Sequence, residues 1–328
     1  MADTSAKALL QALCALPPDG RGAEKLLTPY LGERDTLRTD ALASVVWSRA
    51  GVGKPILLEA HLDTIAMVVT AVLPGGFLRV QPVGGVDRRP LPAAAVTVWG
   101  KETFRGVIAA VPPHLKDKNA PEVPEWTDIL VDTGDCGTVV YPGDLMSLDA
   151  PLLTLMNGTL TAAGLDNRAG CAAVLRALNA TRGCPCPVTA VFAVHEETSG
   201  AGALTAAYAA DALCAIAVDV SFAACPGVEE TESGKLSGGV MLGVSPVLDG
   251  ALTERLRSLA ECEGIPLQTE VMGSRTGTDA DKIQTARAGI PTGLLSIPLR
   301  NMHTAAEIVS PGDIENTARL LAAFIINN

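Results

Sequence analysis

Aromatic residues are scarce: five Phe, three Trp and three Tyr make up 3% of 328 residues. Sugar-stacking platforms and base-stacking sheets are excluded on supply alone. Charge is thin as well, at 19% against a usual ~25%. Within it the basic side is the weaker, with 25 Lys and Arg against 36 Asp and Glu. A net charge of −11 is a poor match for nucleic acid or an anionic membrane surface, so neither is expected as a partner. No apolar run reaches the ~20 residues that cross a bilayer. The uncharged stretch from Leu236 to Leu248 is too short and is interrupted by glycines and a proline. Cysteines stand at 14, 136, 171, 184, 186, 214, 225 and 262, with no Cys-x-x-Cys pair. They read as reduced core residues of an intracellular, cytoplasmic protein. The closest pair, Cys184 and Cys186, has no His nearby and does not read as a soft-metal site.

What is abundant is apolar: 48% of residues, with a mean hydropathy of +0.29. This composition specifies a packed globular protein, and the length suggests two domains. Met1 to Leu16 carries Asp3 and Lys7 and places Leu9, Leu13 and Leu16 at helical spacing before Pro17-Pro18. It reads as an amphipathic helix, not a signal peptide. Short apolar runs alternate with helical patterns in the first 65 residues and again after about residue 155, the α/β signature of a largely parallel buried sheet. Residues 66–155 differ: they are rich in Val, Gly and Pro, alternate in polarity and carry frequent turn signals. A compact β domain (66–155) inserted into an α/β domain (1–65 and 156–328) is expected. Helix ends place one helix from Asn167 to Thr181, one from a cap at Thr278-Asp279 to Gly289, and a last one opening at Ser310-Pro311 with Ile314, Ala318, Leu321 and Ile325 as its stripe.

The informative residues stand at the ends of the apolar strands of the α/β part. Ile56-Leu57-Leu58 runs into Glu59-Ala60-His61-Leu62-Asp63. Val188 to Val194 runs into His195-Glu196-Glu197, Ala215 to Val218 into Asp219, and Gly293 to Ile297 leads to His303. Ligands of open α/β sheets bind at the carboxyl ends of strands, so these residues should converge on one crevice, with Asp166 as a further candidate. Two His and several carboxylates suit zinc, cobalt or manganese better than calcium. Their number exceeds what one catalytic metal needs and fits two metals sharing a carboxylate. A nucleotide-binding reading of Gly200-Ala201-Gly202 fails, because Thr205 stands at the third glycine position and the turn is too long. A zincin needs a His where Ser199 stands, and Gly243-Val244-Ser245-Pro246-Val247 lacks the second glycine of a serine-hydrolase elbow.

Over nearly its whole length the chain resembles the dinuclear-metal aminopeptidase family of glutamyl aminopeptidases, deblocking aminopeptidases and tetrahedral TET particles, some once labelled cellulases. The resemblance is carried by His61-Leu62-Asp63-Thr64-Ile65-Ala66, Asp166-Asn167-Arg168, Glu196-Glu197, Val218-Asp219-Val220, Gly277-Thr278-Asp279-Ala280 and Ile297-Pro298-Leu299-Arg300-Asn301-Met302-His303. Gly84-Gly85-Val86-Asp87 and Pro112-Pro113-His114-Leu115 add to it. It implies a three-layer α/β sandwich carrying a small barrel-like dimerisation domain, with homodimers that can build dodecamers. It implies hydrolysis of the N-terminal peptide bond of short peptides that have a free amino terminus, with two divalent ions, Zn, Co or Mn. Carried over, Asp166 would bridge the metals, His61 and Asp219 would complete one site, and Glu197 and His303 the other. Glu196 would be the general base on a metal-bridged water, and Asp63 would hold the other imidazole nitrogen of His61. Thr64, Ala66, His195, Thr198 and Ser199 depart from the family pattern without removing a ligand, and put borrowed substrate specificity in doubt. His195 reads as a strand residue facing packing or a ligand's support, and His114 as structural. The alternative is a catalytically silent, metal-stabilised assembly or peptide-binding protein on the same scaffold, against which the intact ligands and base argue.

Overall fold

Two textures of sequence give two sheets. The computed structural model describes residues 3–115, 121–135, 139–229, 231 and 233–328. It begins with helices α1 (Ala6–Leu13) and α2 (Ala23–Leu27) and strands β1 (Asp35–Thr39), β2 (Val45–Arg49) and β3 (Ile56–His61). Six strands come next: β4 (Ala66–Leu73), β5 (Phe77–Val83), β6 (Ala95–Trp99), β7 (Thr103–Ile108), β8 (Leu130–Asp132) and β9 (Leu145–Leu148). Then come β10 (Leu153–Thr154), β11 (Leu160–Ala162), α3 (Leu165–Ala180), β12 (Val188–Ala193), α4 (Ala201–Ala210) and β13 (Ala215–Phe222). The chain ends with β14 (Val240–Val244), α5 (Gly250–Cys262), β15 (Leu267–Val271), α6 (Ala280–Ile283), β16 (Thr292–Arg300), β17 (Glu307–Val309) and α7 (Pro311–Ile326).

Strands β4 to β9 close a barrel in the order β4-β5-β8-β7-β6-β9, antiparallel throughout. Alternate residues such as Met67 and Val69, Leu78 and Val80, and Val96 and Val98 fill its interior. Strand β10 already pairs with β11 in the large sheet.

The large sheet runs β1-β2-β12-β3-β13-β16-β17-β11-β10, with β14 pairing both β16 and β15. Its four central strands, β12, β3, β13 and β16, are parallel. The expected mostly parallel sheet is thus a parallel centre with antiparallel margins. The centre is apolar on both faces, whereas β1, with Thr36, Arg38 and Thr39 exposed, pairs antiparallel with β2. Side-chain alternation divides the centre between two cores. Ile56, Leu58, Phe192, Ile216, Val218 and Leu295 pack towards α1, α3 and α7. Leu57, Val191, Ala215, Ala217 and Leu294 pack towards the alanines of α4 and α6. Three layers result.

The N-terminal helix is shorter than expected, ending at Leu13; Met1 and Ala2 lie outside the described residues. Helix α6 stops at Ile283 instead of running to Gly289. Arg287 leaves the helical region at φ +57°, and its guanidinium is tied to the Tyr208 carbonyl and Asp211. No disulfide links the described cysteines. Cys171, Cys186 and Cys214 are buried, but Cys262, expected in the core, is exposed at the end of α5, and Cys136 lies outside the described residues. Among the described residues, no helix is long and apolar enough to cross a membrane.

Candidate metal centre

The site begins where the face turned to α4 and α6 runs out of apolar residues. On β3 that face reads Leu57, Glu59, His61, and on β13 it reads Ala215, Ala217, Asp219. Both strands end in polar groups at the crevice. Glu196 and Glu197 come after β12, His303 lies in the turn after β16, and Asp166 sits in the first turn of α3. Left-handed backbone at His195 (φ +69°) and His303 (φ +65°) redirects the chain just where these side chains are needed.

Asp166 stands between the two histidines. Its Oδ1 lies 3.2 Å from His61 Nε2 and its Oδ2 lies 3.4 Å from His303 Nε2. Asp219 Oδ1 is 3.5 Å from His61 Nε2, and Glu197 Oε2 is 3.6 Å from His303 Nε2. Two groups of three donors result, His61/Asp166/Asp219 and Asp166/Glu197/His303, with Asp166 common to both. Glu196 belongs to neither, yet its Oε2 is 3.8 Å from His61 Nε2.

The surroundings fix these orientations. His61 Nδ1 meets the backbone carbonyl of Asp63 at 3.1 Å, while the Asp63 carboxylate is 3.8 Å away. The expected carboxylate contact is therefore replaced by the carbonyl. The carboxylate instead accepts the backbone N–H groups of Glu196 (3.2 Å) and Glu197 (3.3 Å), because the chain leaves the strand after His61 and turns this side chain towards β12. His195 lies exposed beyond the end of β12 rather than in packing; its carbonyl accepts the N–H groups of Ser199 and Gly200. His114 is exposed in a short 3-10 turn of the insert.

Two supports were not legible as such in the sequence. Glu307, the first residue of β17, is buried, and its Oε2 accepts the N–H of Leu165 (2.7 Å) and of Asp166 (3.2 Å). Its Oε1 accepts the N–H of His303 (2.9 Å), so one carboxyl ties together two of the site's donors. From the barrel side, the Gly85 carbonyl meets His303 Nδ1 at 3.0 Å. A Cβ on Gly85 would come within 2.8 Å of that nitrogen, and one on Gly84, at φ +77°, within 3.1 Å of Glu197 Oε2. The two glycines let the backbone approach the donors.

Electrostatics show a site with too much negative charge. Burial pushes Glu196 up to about 8 and Glu197 to about 7, with Asp219 adding to the first and Asp166 to the second. Burial opposes protonation of His61, but Asp219, Asp166 and Glu196 outweigh it and hold this imidazole well above its ordinary value. The hydrogen bond with Asp166 lifts His303 to about 9. Asp166 itself falls to about 2, since both imidazoles overcome its burial. Behind them two more buried carboxyls oppose ionisation: burial raises Glu59 well above its range and Asp279 to about 6. A cation shared by these donors would offset the repulsion among the carboxylates. The buried Glu197 Oε1 has no hydrogen-bond partner among the described residues. Mixed nitrogen and oxygen donors, a shared carboxylate and an unpartnered buried oxygen all fit divalent cations.

Comparison with known proteins agrees. The family model for M42 glutamyl aminopeptidase matches residues 43–320. A lysyl aminopeptidase of Pyrococcus furiosus is 30% identical over 300 residues, covering 89% of this chain and 87% of its own. The structure of an aminopeptidase from the archaeon Desulfurococcus kamchatkensis superposes with a TM-score of 0.91 at 30% identity, covering 98% of this chain and 95% of the other. The TET1 peptidase of Pyrococcus horikoshii, which can assemble into a tetrahedron or a large octahedral shell, gives a TM-score of 0.87 at 28% identity, covering 99% and 100%. With its fold and donor set accounted for, the chain belongs to the M42 glutamyl aminopeptidase family of metallopeptidases and is an exopeptidase hydrolase.

Proposed function

We propose that this protein is a dinuclear metallo-aminopeptidase that removes the N-terminal residue of short peptides. The observation that carries the reading is the sharing of Asp166 between two three-donor groups, with Glu196 beside them and outside both. His61 and Asp219 would hold one divalent cation, Glu197 and His303 the other, and Asp166 both; zinc, cobalt or manganese suits these donors. Cations held by these residues would supply polarisation of the scissile carbonyl and acidification of a water towards neutral pH. Glu196 takes the proton of that water and returns it to the leaving amine. Asp63 accepts the amides of both glutamates and would thereby hold Glu197 among the donors and Glu196 beside them.

The insert at 66–155, carried by the domain made of 1–65 and 156–328, would pair two copies, and pairs would build larger shells, dodecamers among them. The shells formed by the TET1 relative support this assembly. The family's description points to glutamyl residues and the Pyrococcus furiosus relative to lysyl ones, so names leave the preferred N-terminal residue open.

The test is release of amino acids by metal-loaded protein from a panel of aminoacyl p-nitroanilides and short peptides; no release from any of them refutes the reading. Glu196→Gln should lower turnover by about 10²-fold or more while two metals stay bound. Loss of one metal in that variant would mean that the two glutamates have exchanged roles.

A further inference from the structure

One carboxylate in the crevice is left over by the chemistry just described. The cavity beside the donors, about 260 Å³, is lined by Asp166, Glu196, Glu197, Asp219 and also Glu270 of β15. Both Glu270 oxygens are held by hydroxyls: Ser221 donates to Oε1, and Ser296 donates to Oε2 at 2.8 Å. Those serines belong to β13 and β16 and lie on the same face as Asp219 and Leu294, so the sheet fixes the carboxylate from below. No Lys or Arg lines this cavity among the described residues, and Glu270 makes no ion pair there.

The other carboxyls lining the cavity already have a part: Asp166, Glu197 and Asp219 belong to the two donor groups, and Glu196 stands 3.8 Å from His61. Glu270 is held only by neutral hydroxyls, so a cation entering the cavity is the counter-charge it lacks. Met272, Leu294 and Met302 bring apolar side chains to the lining of the same cavity, alongside Thr276 and Thr278. An apolar wall with one fixed carboxylate matches a long aliphatic stem tipped by a cation. An acidic side chain would meet repulsion there, and a short apolar one would leave the carboxylate buried without a counter-charge.

We propose that Glu270 is the specificity-determining residue of the S1 pocket, binding the ammonium or guanidinium of an N-terminal Lys or Arg. The inference rests on the aminopeptidase reading and adds the substrate class to it. Burial and the nearby Asp219 raise the proton affinity of Glu270 when the pocket is empty, and a cationic side chain reverses that effect.

Norleucine has the stem of lysine without its ammonium, so the pair isolates the charge. In the metal-loaded protein, lysyl hydroxamate should bind about tenfold or more tightly than norleucyl hydroxamate by calorimetry, with glutamyl hydroxamate weakest. Lysyl and arginyl p-nitroanilides should lead the turnover series by a similar factor. In Glu270→Gln the lysyl-to-norleucyl ratio should fall towards one in both measurements. The wild-type comparison needs no variant, so the proposal can still be refuted if Glu270→Gln does not fold. Equal treatment of lysyl and norleucyl ligands, or a glutamyl preference, overturns the proposal and leaves the aminopeptidase reading intact. A parallel loss with both ligands in Glu270→Gln also overturns it, since a group that reads the α-amine or only braces the sheet would act that way. No turnover at all, with the binding difference present, refutes the aminopeptidase reading while upholding Glu270 as a cation-binding group.

Discussion

Glu307 offers the sharpest test of how the site is held. Its carboxyl is buried and accepts three backbone N–H groups, from Leu165 and Asp166 on one oxygen and from His303 on the other. Glutamine has the same shape but only one acceptor oxygen, its other terminal atom being an NH2 donor. Turned one way, Glu307→Gln keeps Leu165 and Asp166 and sets two donors face to face at His303. Turned the other way, it strands both amides at the start of α3. The first loses fewer bonds, so the unsatisfied amide should be that of His303. A buried donor without a partner costs about 1–3 kcal/mol, and loss of a group that orients a metal ligand lowers affinity about 10- to 100-fold.

The expected outcome is therefore asymmetric. Titration of the metal-free variant by calorimetry should show one binding step close to wild type, at His61, Asp166 and Asp219, and one weakened step, at Asp166, Glu197 and His303. Urea unfolding should show the matching loss of stability in the metal-free state. Glu307→Ala, which strands all three amides and opens a cavity, should be worse on both counts. Two steps indistinguishable from wild type with an unchanged unfolding midpoint would refute the reasoning, as would selective weakening of the His61 step.

The same geometry sets three further outcomes. Gly85→Ala places a Cβ 2.8 Å from His303 Nδ1, too close for the ring to stay where it is, and should weaken the His303 step without touching the His61 step; unchanged calorimetry would count against a contact between barrel and site. Metal must displace a proton from His303, at about 9, and below about 7 another from Glu197, so affinity at that group should rise with pH, by about tenfold per unit between about 7 and 9; a flat profile with no proton release would refute this. Away from the site, buried Asp35 pairs with Arg49 at 2.8 Å, and although burial opposes its ionisation, the Arg49 guanidinium and the Gly32 amide hold it below the usual carboxylate range. That contribution is complete above about pH 3.8 and lost as pH falls through the lower folded-state value, so Asp35→Ala should cost about 3 kcal/mol at neutral pH and blunt the acid limb of a stability profile.

Residues at strand ends were readable because the parallel centre of an α/β sheet is written as apolar runs, and a charged residue that closes such a run contributes nothing to its packing. His61, Asp219 and the Glu196-Glu197 pair are legible that way, and Asp166 as a carboxylate just ahead of a helix, reinforced by the Asp166-Asn167-Arg168 block that resembles the family. Asp63 marks the limit of strand periodicity. Two-residue alternation puts its side chain beside that of His61 only while the chain stays extended, and β3 ends at His61. Glu307 and Glu270 were invisible for a different reason. Glu307 serves amides about 140 residues away, and Glu270 sits in the Leu-Gln-Thr-Glu-Val of β15, which reads as a solvated strand until the fold lays it against Ser221 and Ser296.

The barrel was legible as a change of texture, and Gly84-Gly85 as a family-like block, but nothing local says that its carbonyl faces a histidine more than two hundred residues on. That contact changes what the insert is for. If the barrel served pairing alone, its attachment could flex with no effect on the donors. With Gly85 on His303 and Gly84 against Glu197, one of the two three-donor groups is braced by the backbone of the insert. Anything that shifts the barrel against the large sheet must then disturb the His303 group before the His61 group, whose imidazole is held by Asp63 and whose other donors come from α3 and β13.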